Sequence, residues 1–451
     1  MNEKVKKPLS PTRVIVGSFV LIILVGTILL TMPFASKSGS FTSIIDSLFT
    51  ATTATCVTGL VTVDTFSHWS YAGQGIILTL IQIGGLGLVT LTTFFLVVLR
   101  KKAGLSGMML AREAVGGNDL SSLKRLVGMV IVFSFTVELI GAAILSIRFI
   151  PQFGLEEGIW VSVFTAISAF CNAGIDLFGR NTPFASLTEY VADPLVLFTV
   201  MGLIVAGGLG FIVYYDLLFA GKKRGHLMLH TRIVLLATAI LLVAGALLFI
   251  LFEWGNPKTL GAIDGFGNKL MSGLFQSVTT RTAGYNTFSM GDMTEPSKLL
   301  SSVLMFVGAA PGSTAGGMKV TTVLVLAATV LSTLRGRDEV TILQRKIDRK
   351  VVYKAFSLIV IGTAVAVLST AIIYIAEDVH LIDAVFEAFS AVGTVGLTTG
   401  ITPDLTVVSK LTLILTMFLG RVGPFTFFIA FSGKSDKSKA VILPEGQIIV
   451  G

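Results

Sequence analysis

Charged side chains are scarce in this sequence: Asp, Glu, Lys and Arg together make up 13% of its 451 residues. Soluble domains carry about 25% charged residues, so this chain has too few to cover a water-exposed surface of its size. Hydrophobic residues make up 53% of the chain, and the mean hydropathy is +0.86. The composition therefore predicts a protein whose surroundings are largely lipid.

Cysteine is also scarce, since Cys56 and Cys171 are the only two. Two cysteines are too few for a disulfide framework. Each lies three residues before a glycine, Gly59 or Gly174, and we interpret them as small residues that support a loop. A Rossmann-type G-x-G-x-x-G is missing as well, so regulation by a nucleotide would need a separate partner.

Apolar stretches long enough to cross a membrane, about 20 residues each, recur along the whole chain. They cover residues 14–32, 71–99, 126–147, 195–215, 233–252, 299–334, 357–376 and 411–431. Eight spans place both termini on the same side of the membrane. The sequence thus predicts an all-α integral membrane protein of the cell membrane with eight spans.

Basic residues are concentrated in the N-tail, in the loops after spans two, four and six, and in the C-tail. The positive-inside rule makes that side cytoplasmic, and this topology accounts for the net charge of +8 without nucleic acid as a partner. The opposite side is acidic. It either concentrates cations or consists of ordinary solvated loops.

Four copies of one unit follow each other along the chain. After each odd-numbered span comes a segment too short to cross, which ends in a small or polar run with a glycine: Gly59, Gly174, Gly284 or Gly396. The successive separations are 115, 110 and 112 residues. A phenylalanine precedes the glycine by ten residues in three copies (Phe49, Phe164 and Phe386) and by nine in the third (Phe275). The predicted unit is span, short re-entrant helix, glycine loop and span.

The repeats and loops divide the chain into nine regions. They are a cytoplasmic N-tail (1–13), repeat one (14–100), a cytoplasmic loop (101–125), repeat two (126–220), a cytoplasmic loop (221–232), repeat three with a broken second span (233–334), a cytoplasmic loop (335–356), repeat four (357–432) and a cytoplasmic C-tail (433–451). Re-entrant backbone is tolerated at membrane depth only where protein or water surrounds it. Four such loops predict a pseudo-fourfold arrangement around one central pore.

The glycine loops offer an ion backbone carbonyls instead of charged side chains. The triplets are Val57-Thr58-Gly59, Asn172-Ala173-Gly174, Thr282-Ala283-Gly284 and Thr394-Val395-Gly396. Rings of carbonyls that replace a hydration shell form potassium filters of the T-V-G-Y-G type, and the fourth triplet matches the first three letters. The carboxyl ends of the short helices would add partial negative charge. We predict a filter in which these carbonyls bind K⁺.

These four units, together with "TATCVTGLVTVDT", "AFCNAGID", "RTAGYNTFS", "FSAVGTVGLTTGITP" and "GRVGPFTF", resemble the Trk/Ktr/HKT superfamily of potassium transporters. Within it the chain resembles the membrane subunit of a Ktr system, of the KtrB/KtrD type. The resemblance implies a homodimer with one pore per subunit, regulated by a cytosolic ring of nucleotide-binding RCK-domain subunits. It also implies potassium as substrate, no cofactor bound by this chain, and no enzymatic activity.

The stretch "GAAPGSTAGGMK" (residues 308–319) interrupts the sixth span. It comes close to the phosphate loop G-x-x-x-x-G-K-[ST], but Met318 precedes the lysine and Val320 replaces the Ser or Thr. We predict instead an intramembrane gate, as the resemblance also implies. Its residues would be Gly308, Ala309, Ala310, Pro311, Gly312, Ser313, Thr314, Ala315, Gly316 and Gly317, with Arg421 of span eight as a partner for the loop carbonyls.

Two other functions stay open at this stage. A secondary cation symporter would use sodium as a coupling ion, and sodium dependence is compatible with the sequence. An ATP-driven pump component would use the 308–319 stretch as a phosphate loop. Glu138, inside span three, is either a functional intramembrane carboxylate or a hydrogen-bonded residue packed between helices, and we favour the second interpretation.

Overall fold

The structure, a computed structural model, describes residues 11–87, 120–220 and 225–431. Its helices are α1 (Pro11–Thr31), α2 (Ile44–Cys56), α3 (Thr65–His68), α4 (Tyr71–Leu86), α5 (Leu120–Phe153), α6 (Leu155–Cys171), α7 (Pro194–Gly208), α8 (Phe211–Tyr215), α9 (Leu229–Glu253), α10 (Phe266–Thr279), α11 (Glu295–Phe306), α12 (Val320–Leu334), α13 (Arg349–Ala376), α14 (Leu381–Gly393), α15 (Val407–Val422) and α16 (Pro424–Phe431). A hairpin of β1 (Thr341–Ile342) and β2 (Arg345–Lys346) lies between α12 and α13.

One order of elements occurs four times: a long helix, a short helix, a loop and a second helix. The long helices α1, α5, α9 and α13 coincide with the first predicted span of each repeat. Within the described ranges these four are long and apolar enough to cross a membrane, or five helices if the bent pair α7–α8 counts as one. The short helices α2, α6, α10 and α14 are the predicted re-entrant segments.

In repeats two, three and four, the second helices are interrupted where the first helices are continuous. The sequence predicts such a break only in the sixth span, and the structure has it between α11 and α12. Two further breaks lie at Gly210, where α7 and α8 meet at 86°, and at Gly423, between α15 and α16. Both glycines have positive φ, 88° and 86°, a conformation that glycine adopts without a Cβ penalty.

The second helices of repeats one and two begin after a residue whose side chain caps them. Ser70 and Asp193 accept hydrogen bonds from the backbone N–H groups of Gly73 and Val196, at 3.2 Å in both cases. Such bonds satisfy amides that have no partner inside the helix. Prolines at the first turns of α7 and α11 have a backbone angle that suits a helix start. The starts of these helices are therefore encoded locally.

The repeats pack in a closed cycle. The second helix of each repeat lies against the short helix of the next, in the pairs α4–α6, α7–α10, α11–α14 and α15–α2. Two junctions carry a largely buried ion pair in the same register: Lys298 Nζ lies 2.9 Å from Asp383 Oδ1, and Lys410 Nζ lies 3.3 Å from Asp46 Oδ1. The last pair closes the cycle between repeats four and one.

The phenylalanines that mark the repeats form part of the interior. Phe49, Phe164, Phe275 and Phe386 all have an exposed fraction of 0%. Each lies on a short helix, on the side that packs against neighbouring helices. Burying a side chain of this size contributes about 1.5–3 kcal/mol, so these residues help hold the four short helices at a common depth.

Candidate functional site

The loops that follow the short helices begin with an unusual backbone turn. Val57, Asn172 and Thr394 directly follow α2, α6 and α14 and have φ values of 56°, 60° and 50°. Thr282, in the third repeat, has φ of 71°. Positive φ is uncommon in residues other than glycine. The same turn in all four repeats therefore directs four loops into one conformation.

Hydrogen bonds to the preceding helix hold these turns. The backbone N–H groups of Thr58, Ala173 and Val395 donate to the carbonyls of Thr53, Ser168 and Ser390 at 2.8, 2.8 and 2.9 Å. This bond satisfies a carbonyl at the end of the helix. In the third repeat, which is one residue shorter, the N–H of Ala283 donates to the carbonyl of Thr279 at 2.9 Å.

A hydroxyl residue on each short helix also bonds to its loop. Gly59 N–H donates to Thr53 Oγ1 at 2.9 Å, and Gly396 N–H donates to Ser390 Oγ at 3.1 Å. Ser168 Oγ donates to the carbonyl of Ile175 at 2.7 Å, and Thr279 Oγ1 donates to that of Tyr285 at 2.6 Å. Sequence reasoning missed these residues, although a Ser or Thr recurs six residues before each glycine, five in the third copy.

The four loop glycines meet in a closed ring. A Cβ added to Gly59, Gly174, Gly284 or Gly396 would overlap with the carbonyl oxygen of Ala173, Ala283, Val395 or Thr58, respectively. Each glycine thus lies against a carbonyl of the next repeat. That carbonyl belongs to the residue directly before the glycine of that repeat. All twelve residues of the predicted filter triplets are buried, and all four loops contribute to the same ring.

A cavity of about 110 Å³ lies on the side of the ring that α3 faces. All four glycines line it, together with Asp64 and Asp176. Asp64 Oδ1 accepts from the N–H of Ser67, and its Oδ2 accepts from the N–H of Phe184 at 2.9 Å. The cavity therefore combines neutral loop backbone with carboxyl groups, a combination that favours cations over anions.

The segment predicted as a gate, residues 308–317, is called the inner segment below. It leaves α11 and passes beneath the ring before α12 begins. A Cβ at Gly316 would overlap with the Thr394 side chain, and one at Gly317 would lie 2.8 Å from the carbonyl oxygen of Gly393. Thr314 Oγ1 donates to the carbonyl of Phe170 at 3.0 Å. The inner segment therefore contacts the loops or short-helix ends of two different repeats.

Backbone amides of the inner segment are already paired. Those of Gly308, Ala310 and Thr314 donate to the carbonyls of Met318, Gly208 and Gly207 at 2.7, 3.1 and 3.2 Å. A phosphate loop points its N–H groups at the ligand, whereas these three are used within the protein. The hydroxyl of Ser313 makes no hydrogen bond to any described residue.

Arg421 bridges the inner segment to another repeat. Its contact with a carbonyl of the inner segment is the one that the sequence predicts. Its guanidinium donates to the carbonyl of Thr314 and to those of Gly84 and Gly85 at the end of α4. A buried arginine requires acceptors for its donors, and these carbonyls supply them. The side chain thus ties the first and third repeats together from α15.

Lys319, two residues after the inner segment, is a second cation that contacts it. Its Nζ donates to the carbonyls of Ala315 at 2.7 Å and Gly316 at 3.1 Å. The ammonium group therefore folds back onto the segment that it follows. No local pattern marks this contact, because it depends on the path of the whole segment.

Glu138 lies behind the ring on α5, with an exposed fraction of 4%. Gln82 Nε2 donates to both of its carboxyl oxygens, at 3.0 and 3.2 Å. Cys171 Sγ lies 4.0 Å from Glu138 Oε1. These contacts agree with the interpretation favoured from the sequence, in which Glu138 is a hydrogen-bonded residue packed between helices. Cys56 and Cys171 are both buried and have free thiols.

Comparison with known proteins defines the class to which this arrangement belongs. A family profile described as "TrkH: Cation transport protein" matches residues 8–441. The chain is 40% identical to Ktr system potassium uptake protein B of Bacillus subtilis, over 98% of this chain and 97% of that protein. It is 39% identical to potassium/sodium uptake protein NtpJ of Enterococcus hirae, over 100% and 99%.

A solved structure shows the same fold. The potassium transporter TrkH from Vibrio parahaemolyticus matches with a TM-score of 0.71 at 16% identity, over 96% of this chain and 87% of that chain. The apolar helices and the family profile identify the chain as a multi-pass membrane transport protein. The chain belongs to the TrkH family of cation transport proteins, which confirms the resemblance found in the sequence.

Proposed function

We propose that this chain takes up potassium across the cell membrane through a carbonyl-lined filter at the ring of Gly59, Gly174, Gly284 and Gly396. The observation that carries the proposal is the closed ring itself, in which each glycine adjoins a carbonyl of the next repeat. The relatives named as Ktr potassium uptake protein B support the choice of ion.

The ring suits a cation that must lose its water. The triplets hold no ionisable side chain, so the ligands would be backbone carbonyl oxygens, as in potassium filters. The carboxyl ends of α2, α6 and α14 lead directly into the ring. Helix carboxyl ends carry partial negative charge, which lowers the energy of a dehydrated cation there.

The inner segment is the proposed gate. It covers the inner side of the ring through its contacts with Thr394, Gly393 and Phe170. Its contact with Arg421 would hold this closed position. Small residues allow the segment to change conformation without displacing large side chains, which is the property that a gate at this depth requires.

The proposal includes the wider organisation that the sequence predicts. The chain would cross the membrane eight times with both termini in the cytoplasm, form a homodimer, and bind a cytosolic ring of RCK-domain subunits. Ktr relatives are named as components of a system, which supports a partner. We assign docking of the ring to the basic loop 335–354.

Neutralising part of that loop tests the docking surface. Replacement of Arg345, Lys346, Arg349 and Lys350 by Gln should reduce co-purification with the ring subunit while the dimer stays intact. Undiminished co-purification would remove the loop from the interface without affecting the filter proposal, since the two involve different residues.

Ion flux tests the central proposal. Purified protein in liposomes should conduct K⁺ and Rb⁺ in preference to Na⁺, with no requirement for ATP. A strict dependence of K⁺ uptake on a sodium gradient would replace the proposal with a sodium-coupled symporter. Flux that requires ATP hydrolysis would favour the pump, which the paired amides of Gly308, Ala310 and Thr314 argue against.

A further inference from the structure

An apolar groove lies away from the ring, between α9 and α12. Its volume is about 320 Å³, at the lower end of the roughly 300–1,000 Å³ of ligand pockets. Leu236 and Ile240 of α9 form one wall, and Ala328 and Leu331 of α12 form the other. Leu236 and Ile240 have exposed fractions of 53% and 57%, so the groove opens toward the surroundings of the helices.

Two arginines line one end of this groove. Arg335 and Arg337 follow α12, and their backbone N–H groups donate to the carbonyls of Leu331 and Ser332 at 3.2 and 2.9 Å. Among the residues that the structure describes, neither guanidinium has an ion-pair partner. The nearby Lys346 differs, since it pairs with Glu339. The groove thus has an apolar body and an unneutralised cationic end.

The hairpin β1–β2 closes the groove on the same side. Its turn is formed by Leu343 and Gln344, with φ of 46° and 61°, and Leu343 lines the groove while 51% of its side chain is exposed. A leucine with positive φ is rare, and polar residues are the usual choice for such turns. An exposed leucine in a basic loop matches a segment at the boundary between headgroups and acyl chains.

We propose that this groove binds an anionic phospholipid, with one acyl chain between α9 and α12 and the phosphate on Arg335 and Arg337. The planar guanidinium matches phosphate geometry through paired N–H donors. The positive-inside rule places this basic loop at the cytoplasmic leaflet, where anionic lipids attract juxtamembrane basic residues. Charge complementarity and position favour a lipid over a second copy of this chain, because a lipid supplies both an acyl chain for the apolar walls and a phosphate for the two arginines.

The bound lipid would also affect the inner segment, a consequence that rests on the proposed function. The first residue of α12, Val320, donates its N–H to the carbonyl of Ala309 within the inner segment, at 3.2 Å. A lipid that fixes the far end of α12 would therefore favour one position of that segment. Binding itself does not depend on this step and is tested separately.

Lipid binding can be measured by native mass spectrometry of the full-length protein. The titrations would use dioleoyl phosphatidylglycerol and, in parallel, dioleoyl phosphatidylcholine. The wild type should prefer the anionic lipid by about tenfold. Arg335→Gln/Arg337→Gln should lose that preference, and Ala328→Phe, which fills the groove, should bind less of both lipids. Arg345→Gln/Lys346→Gln removes the same charge from β2 and should retain the preference.

Three outcomes would overturn the proposal. The first is an unchanged preference in Arg335→Gln/Arg337→Gln, and the second is an equal loss in the β2 control. The third is a change in oligomeric mass in Ala328→Phe, which would make the groove an interface between copies. None of these readouts involves transport, so the proposal fails or holds independently of the potassium filter.

Discussion

The second helix of repeat three differs from those of the other repeats at one glycine position. Gly84, Gly207, Gly308 and Gly420 each lie 13 residues after the first residue of their helix. In repeats one, two and four, an added Cβ would overlap with the carbonyl oxygen of Thr55, Phe170 or Val392, near the end of a short helix. These three glycines therefore allow the second helix to pack directly against the short helix.

Gly308 makes a different contact in the third repeat. A Cβ added there would lie 2.8 Å from the carbonyl oxygen of Gly316 and 3.0 Å from that of Met318. The chain has left α11 by this point and folds back on itself as the inner segment. The same glycine position therefore has two uses. Where the second helix continues through the glycine, it packs against the short helix; where the helix ends before it, the chain continues as the inner segment.

Removal of the inner segment should have the largest effect. Deletion of residues 310–315 removes most of the inner segment, including its contacts with Phe170 and Arg421, and should raise K⁺ flux into liposomes by about tenfold or more. The filter is untouched, so K⁺ should still be preferred over Na⁺. Flux at or below the wild-type rate, from protein with the wild-type elution profile, would make the segment a structural kink instead of a gate.

Substitution within the ring should weaken selectivity. Gly396→Ser places a Cβ against the Thr58 carbonyl and should reduce the preference for K⁺ over Na⁺ by about tenfold. Gly59→Ser should act similarly. Gly400→Ser is the matched control, since Gly400 also has positive φ, 102°, but nothing lies within 4 Å of its Cβ position. Equal selectivity in all three variants would contradict the filter assignment.

Loss of Arg421 should have a smaller effect on flux. Arg421→Ala removes the bridge from Thr314 to Gly84 and Gly85 and should raise K⁺ flux about threefold, a change of less than 1 kcal/mol. Arg421→Lys keeps the charge without the planar set of donors. Its K⁺ flux should lie between those of the wild type and Arg421→Ala. Lower flux in Arg421→Ala than in the wild type would mean that the arginine supports the open state.

The bracing glycines should affect stability and have the smallest effect on flux. Gly207→Ala places a methyl group against the Phe170 carbonyl and should destabilise the protein by about 1–3 kcal/mol. Gly202→Ala, in the same helix with nothing within 4 Å, should stabilise it by up to about 1 kcal/mol. Thermal unfolding in detergent measures both, and a Tm for Gly207→Ala at or above the wild-type value would contradict the packing described here.

Much of the fold was predictable because its signals are local. The register of the four glycines and of the preceding phenylalanines is visible along the chain, and the structure confirms it together with the first span of each repeat. The total of eight spans stays a prediction. The ion-binding and gating roles of the site residues stay predictions. The breaks at Gly210 and Gly423 were not predicted, since single glycines inside apolar stretches are common in membrane helices and do not by themselves mark an interruption.

The sequence by itself determined that this is an integral membrane protein, that its unit is repeated four times and which glycines mark the loops, because these follow from composition and from a period of about 110 residues. The tertiary structure decided which carbonyl each glycine adjoins, the path of the inner segment and the partners of Arg421. The physical reason is distance along the chain. Arg421 and Gly84 are 337 residues apart, and only the packing of four repeats in a closed cycle brings them into hydrogen-bonding contact.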